Sequence, residues 1–76
     1  MPKPAEFPTI KLKLIGVDGN AFAILGAVRQ ALRRARAQGV FTPQQEKEYR
    51  DQFMKEAMAG DYDYLLRTAM EWFDVT

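Results

Sequence analysis

Thr9-Ile10-Lys11-Leu12-Lys13-Leu14-Ile15 is the stretch that decides the fold. Ile10, Leu12 and Leu14 alternate with Thr9, Lys11 and Lys13, so one face is apolar and the other polar. That is the period of a half-buried strand. The apolar patterns further along the chain have a helical period instead, so this strand has no obvious partner. A lone strand leaves backbone donors and acceptors unmet. Two partners are open: the tail around Val75, or the strand of a second chain, which would make a homodimer and enlarge the core.

Working outward, residues 1–8 contain three prolines and read as an extended, flexible N-terminal arm, with residues 9–76 as a single small domain. Gly16-Val17-Asp18-Gly19-Asn20 reads as a turn ending in a helix N-cap at Asn20. A first helix is predicted over 21–38, stopped by Gly39. Its core face holds Ile24, Leu25, Val28, Ala31, Leu32 and Ala35. Gly26 interrupts that helix, which suggests that another backbone packs closely there. Thr42, Pro43 and Gln45 form a capping-box start for a second helix over 43–59. Its apolar arc holds Tyr49, Phe53, Met54, Ala57 and Met58, with Glu46 and Arg50 spaced to pair at i,i+4. Asp61 caps a third helix over 62–73. Its stripe holds Tyr62, Leu65, Leu66, Ala69, Met70, Trp72 and Phe73, with Tyr64, Arg67, Thr68 and Glu71 opposite. The expected fold class is α+β: one N-terminal strand followed by three α-helices, the strand paired with the C-terminal tail or with a second chain.

Composition narrows the chemistry. The chain of 76 residues lacks cysteine, histidine and serine, which removes thiolate sites, the commonest general base and the commonest transition-metal ligand. Acid–base work would fall to Asp, Glu, Lys or Tyr; Glu46 lies near an apolar arc, but as a single acid flanked by Arg50 it reads as structural. The chain is therefore read as a non-enzyme with no catalytic residues, no metal site and no cofactor. Asp61 and Asp63 beside tyrosines are too few oxygens for calcium and read as a cap and a dipole-favoured first turn. No apolar run approaches the ~20 residues that span a bilayer. Prolines stand where a secretion signal would carry its apolar core, so no membrane role and a cytoplasmic location are expected.

Charge is split along the chain. Residues 1–40 carry seven cations against two anions, and residues 41–76 carry four against eight. Arg29, Arg33 and Arg36 recur at i, i+4 and i+7 on one face of the first helix, beside its core arc. Arginine forks suit carboxylates and phosphates. The plainer account is favourable cations in the last turns, or pairing with the acidic second helix. Lys11 and Lys13 form the outer strand face, and Tyr64 is an aromatic on a polar side, a residue type enriched at interfaces.

Three stretches carry a resemblance: 13–22 (Lys-Leu-Ile-Gly-Val-Asp-Gly-Asn-Ala-Phe), 24–26 (Ile-Leu-Gly) and 60–66 (Gly-Asp-Tyr-Asp-Tyr-Leu-Leu). Together they resemble a group of short, uncharacterised bacterial and phage or mobile-element proteins without an established activity. The resemblance spans most of 10–75. It implies a bacterial or phage origin and an accessory role; many such phage proteins bind a host protein, sometimes a defence complex. The combined expectation is a small binding protein that docks on a protein partner through Arg29, Arg33, Arg36, Tyr64, Lys11 and Lys13. A dimeric nucleic-acid binder using the basic strand and helix face is the alternative, and a structural homo-oligomer is the third reading. A ribbon–helix–helix dimer presents such a strand to DNA, but the first helix here is long for that fold and the third helix is extra.

Overall fold

The computed structural model describes residues 4–14 and 19–76. The order is β1 (Lys11–Leu12), α1 (Ala21–Ala37), α2 (Pro43–Ala57), α3 (Tyr62–Trp72) and β2 (Asp74–Val75). This is the expected α+β arrangement, and it settles which partner the strand takes. β1 pairs in parallel with the chain's own tail, Lys11 opposite Asp74 and Leu12 opposite Val75. Asp74 N–H donates to the Ile10 carbonyl at 2.9 Å, Thr76 N–H to the Leu12 carbonyl at 3.0 Å, and Leu14 N–H to the Thr76 carbonyl at 3.0 Å. The regular ladder is shorter than residues 9–15, of which Ile15 lies outside the described residues. A ribbon this short is stable only on a helical support, and Leu12, fully buried, pins it there.

The helix ends follow the sequence signals closely. Asn20 Oδ1 accepts from Ala23 N–H at 2.9 Å, although residues 16–18 of the expected turn are not described. Gly39 ends α1 with φ +79°, the left-handed conformation that glycine adopts without Cβ strain. Thr42 and Gln45 make the reciprocal capping box, and Asp61 Oδ1 accepts from Tyr64 N–H at 3.0 Å. Gly60 is required for space: a Cβ there would stand 2.8 Å from Tyr64 Cβ. Gly26 is not. Its Cβ would meet nothing within 4 Å, so the close packing expected at Gly26 is absent.

The core joins all three helices to both termini. α1 buries Ile24, Val28, Ala31, Leu32 and Ala35; α2 buries Tyr49, Phe53 and Ala57; α3 buries Leu65, Thr68, Ala69 and Trp72. Leu25 and Leu66 are half-buried against this cluster. Four placements differ from the sequence reading. Met58 and Met70 are 67% and 66% exposed, and Tyr62 is largely exposed too. Thr68, expected on the polar side, is buried instead. Its hydroxyl donates to the Tyr64 carbonyl one turn back at 2.8 Å, so burying the residue leaves no hydroxyl unmet.

The described part of the N-terminal segment, residues 4–8, is placed differently from a free arm. Residues 1–8 read as a flexible arm, yet Phe7 is only 5% exposed. Its ring meets Tyr49, Trp72 and Phe73 edge-on, at centroid separations of 5.0, 5.0 and 5.5 Å. Phe7 N–H donates to the Pro4 carbonyl at 3.0 Å, closing a turn that aims the ring inward. Pro4 supplies the acceptor of that turn, and residues 1–3 of the expected arm lie outside the described residues. Phe53 completes the aromatic cluster against Trp72 and Phe73. Trp72 Nε1 is buried there with no acceptor among the described residues, which costs about 1–3 kcal/mol.

Candidate interaction surface

Position along α1 decides what each cation can do. Ala31 and Ala35 are buried toward β1, and Arg36 leaves the other flank of the core arc toward α2. Arg36 Nε lies 2.5 Å from Glu46 Oε1 of α2, with the carboxylate side chain only 15% exposed. The guanidinium N–H is not aimed along that contact, so the pair is held by charge proximity rather than by an aligned hydrogen bond. Glu46 was expected to pair with Arg50 within α2. It takes Arg36 instead, because a helix-to-helix contact shields the pair from water better than a surface i,i+4 pair does. Arg50 lies 3.8 Å from its neighbour Asp51.

The arginine stripe therefore divides. Arg36 belongs to the helix–helix contact, while Arg29 and Arg33 stay exposed. Among the described residues, no carboxylate comes within ion-pair distance of Arg29, Arg33, Arg34, Lys11 or Lys13. Asp74 stands opposite Lys11 in register but outside that distance. Tyr64 is half-buried, and its hydroxyl donates to Glu56 Oε1, tying α3 to α2. That hydrogen bond raises the phenol above its ordinary range, with partial burial and the Glu56 and Glu71 charges adding to it. Tyr64 is thus a strut between helices first and a surface aromatic second.

Two features escaped the sequence reading. The first is a groove of about 230 Å³ between β1 and the C-terminal half of α1. Buried Ala31 and Ala35 form its floor with half-buried Ile10, and Val40, Lys11, Arg34 and Gln38 line the rest of it. Arg34 follows the stripe by one residue and so faces a different way; only the position of β1 shows where. The second is an apolar corner where α1 begins and α2 gives way to α3. Leu25, Met58 and Tyr62 line a hollow of about 220 Å³ there, and Phe22 nearby is 89% exposed. Ala21, at its edge, follows closely on residues 15–18, which are not described.

No group of three His, Cys, Asp or Glu side chains able to hold a metal ion occurs among the described residues, and no described helix is long and apolar enough to cross a membrane. Comparison with protein-family profiles, curated proteins and solved structures finds no match, so the reading of these surfaces rests on the chain's own residues.

Proposed function

We propose that this chain is a non-enzymatic binding protein that acts by docking on a partner protein. The observation that carries the reading is the set of exposed cations Lys11, Lys13, Arg29, Arg33 and Arg34, none of which has an ion-pair partner among the described residues. Charges needed only for stability would be paired as Arg36 is, and the acidic α2 leaves these five untouched. Cations presented this way attract a carboxylate-rich surface and speed its encounter. The sequence resemblance implies a phage or mobile-element origin, and the prolines standing where a secretion signal would carry its apolar core favour action in the cytoplasm.

The test is capture from a bacterial lysate with wild-type protein and with the double variant Arg29→Glu/Arg33→Glu, followed by binding of the purified captured protein. The expected result is a partner whose affinity falls at least tenfold on charge reversal. A partner bound equally by both proteins would remove the cations from the account.

Exposed Lys11 and Lys13 also favour a second reading, nucleic-acid binding. Phosphate contacts predict a steep fall in affinity as salt rises. The tail already occupies one edge of β1, so the two-chain ribbon of the ribbon–helix–helix fold would have only the other edge. The absence of DNA and RNA binding at low salt would eliminate this reading.

A further inference from the structure

The edge of β1 that faces away from β2 is open. The bonds of β1 to the tail given above all use even-numbered residues: the Ile10 and Leu12 carbonyls and the Leu14 N–H. Strand backbones alternate, so the N–H and C=O groups of Lys11 and Lys13 point to the opposite edge. Among the described residues, no strand lies there and no group pairs with those atoms. The groove beside α1 runs along this edge: Thr9, Ile10 and Lys11 line it and no residue of β2 does.

Resting on the docking function proposed above, we infer that this edge takes an extended, acidic segment of the partner protein as a third strand. Three properties of the groove specify that segment. The unpaired Lys11 and Lys13 amides and carbonyls offer main-chain hydrogen bonds at strand spacing. The floor of Ala31 and Ala35 with Ile10 accepts apolar side chains from alternate residues of the added strand. Lys11 and Arg34 stand over the groove, and no acid lines it, so the intervening residues are acidic. A second copy of this chain fits the edge less well, because two β1 strands side by side set lysines against lysines. The edge lysines also blunt indiscriminate strand addition, which leaves a segment carrying opposite charge as the matching occupant.

The test uses the full chain and a fluorescent eight-residue peptide alternating valine and glutamate. Saturable binding by anisotropy is expected, with amide shift changes confined to residues 9–14 and 31–40. The same peptide N-methylated at alternate residues keeps its charge but loses the hydrogen bonds of one edge; the methylation frame that blocks the paired edge should weaken binding at least tenfold. Lys11→Glu/Arg34→Glu should do the same, with unchanged circular dichroism, and a valine–lysine peptide should not bind. Both methylation frames binding like the parent, shift changes centred elsewhere, or a concentration-dependent dimer that occupies the edge would overturn the inference. Loss of the edge alone leaves the docking function standing where the captured partner still depends on Arg29 and Arg33. Loss of both dependences removes the two together.

Discussion

The aromatic end of the molecule and the groove between β1 and α1 solve opposite problems. At the aromatic end, Phe7, Tyr49, Phe53, Trp72 and Phe73 close on one another edge-to-face and every ring is buried. At the groove, small alanines leave a hollow, and among the described residues strand atoms lack partners and cations stand without counter-ions. One region spends its large side chains on cohesion, and the other withholds them. Stability and recognition thus fall on different residues, and substitutions separate them.

The hardest test of that division is Phe7→Ala. Removing a buried aromatic side chain costs about 3–5 kcal/mol, against a total of roughly 4–11 kcal/mol for a chain of this length. Urea unfolding should therefore show a mostly lost or greatly weakened fold. A loss under about 1 kcal/mol would return residues 4–8 to the status of an arm. Next in size is Glu46→Ala. It strands Arg36 Nε beside α2 and should cost about 1 kcal/mol, read by the same titration.

Alkali probes the same end. The Tyr49 phenol is raised by burial and by the Glu6 and Glu48 charges, and that of Tyr64 by its bond to Glu56. A phenol raised on folding stabilises the fold fully below its unfolded value near 10. That contribution is lost as pH rises through the folded value. Unfolding free energy should hold steady from pH 8 to 9.5 and fall above 10, less steeply in Tyr64→Phe. An equal fall in wild type and variant would show that the Glu56 bond is not felt.

The smallest effects belong to α1. Gly26→Ala should stabilise by about 0.5–1 kcal/mol, since a methyl there meets nothing and the helix gains propensity. Arg29→Glu/Arg33→Glu should change thermal stability by less than about 0.5 kcal/mol while altering binding. A destabilisation well beyond that would mean these arginines serve the fold after all.

What the sequence made legible was local chemistry. Asn20, Thr42 and Asp61 cap where their side chains predict, Gly39 stops α1, and the period of Ile24 to Ala35 finds the buried face. Misplacements arose where neighbours from elsewhere in the chain decide. Phe7 looked idle because its receiving cavity is built by α2, α3 and the residue after α3. Met58 and Met70 have the right period but sit past the area their partner helices cover, and Thr68 takes a core place because its hydroxyl bonds within its own helix. Among the candidate contacts, Lys11, Lys13, Arg29 and Arg33 were legible as exposed cations. Pairing of the stripe with the acidic second helix was also legible, but not that Arg36 alone would take Glu46, nor the strut at Tyr64, since i,i+4 spacing says nothing about which residue a facing helix presents. Arg34 and the groove were invisible for the same reason.

The parallel pairing of Lys11 with Asp74 ties residues from opposite extremes of the chain. Closing so long a loop costs roughly 3–4 kcal/mol of chain entropy, and nothing repays it until three helices have delivered residue 74 to the right place. The ribbon therefore depends on the helices being in place, so a ligand that reads its free margin would read the assembled fold.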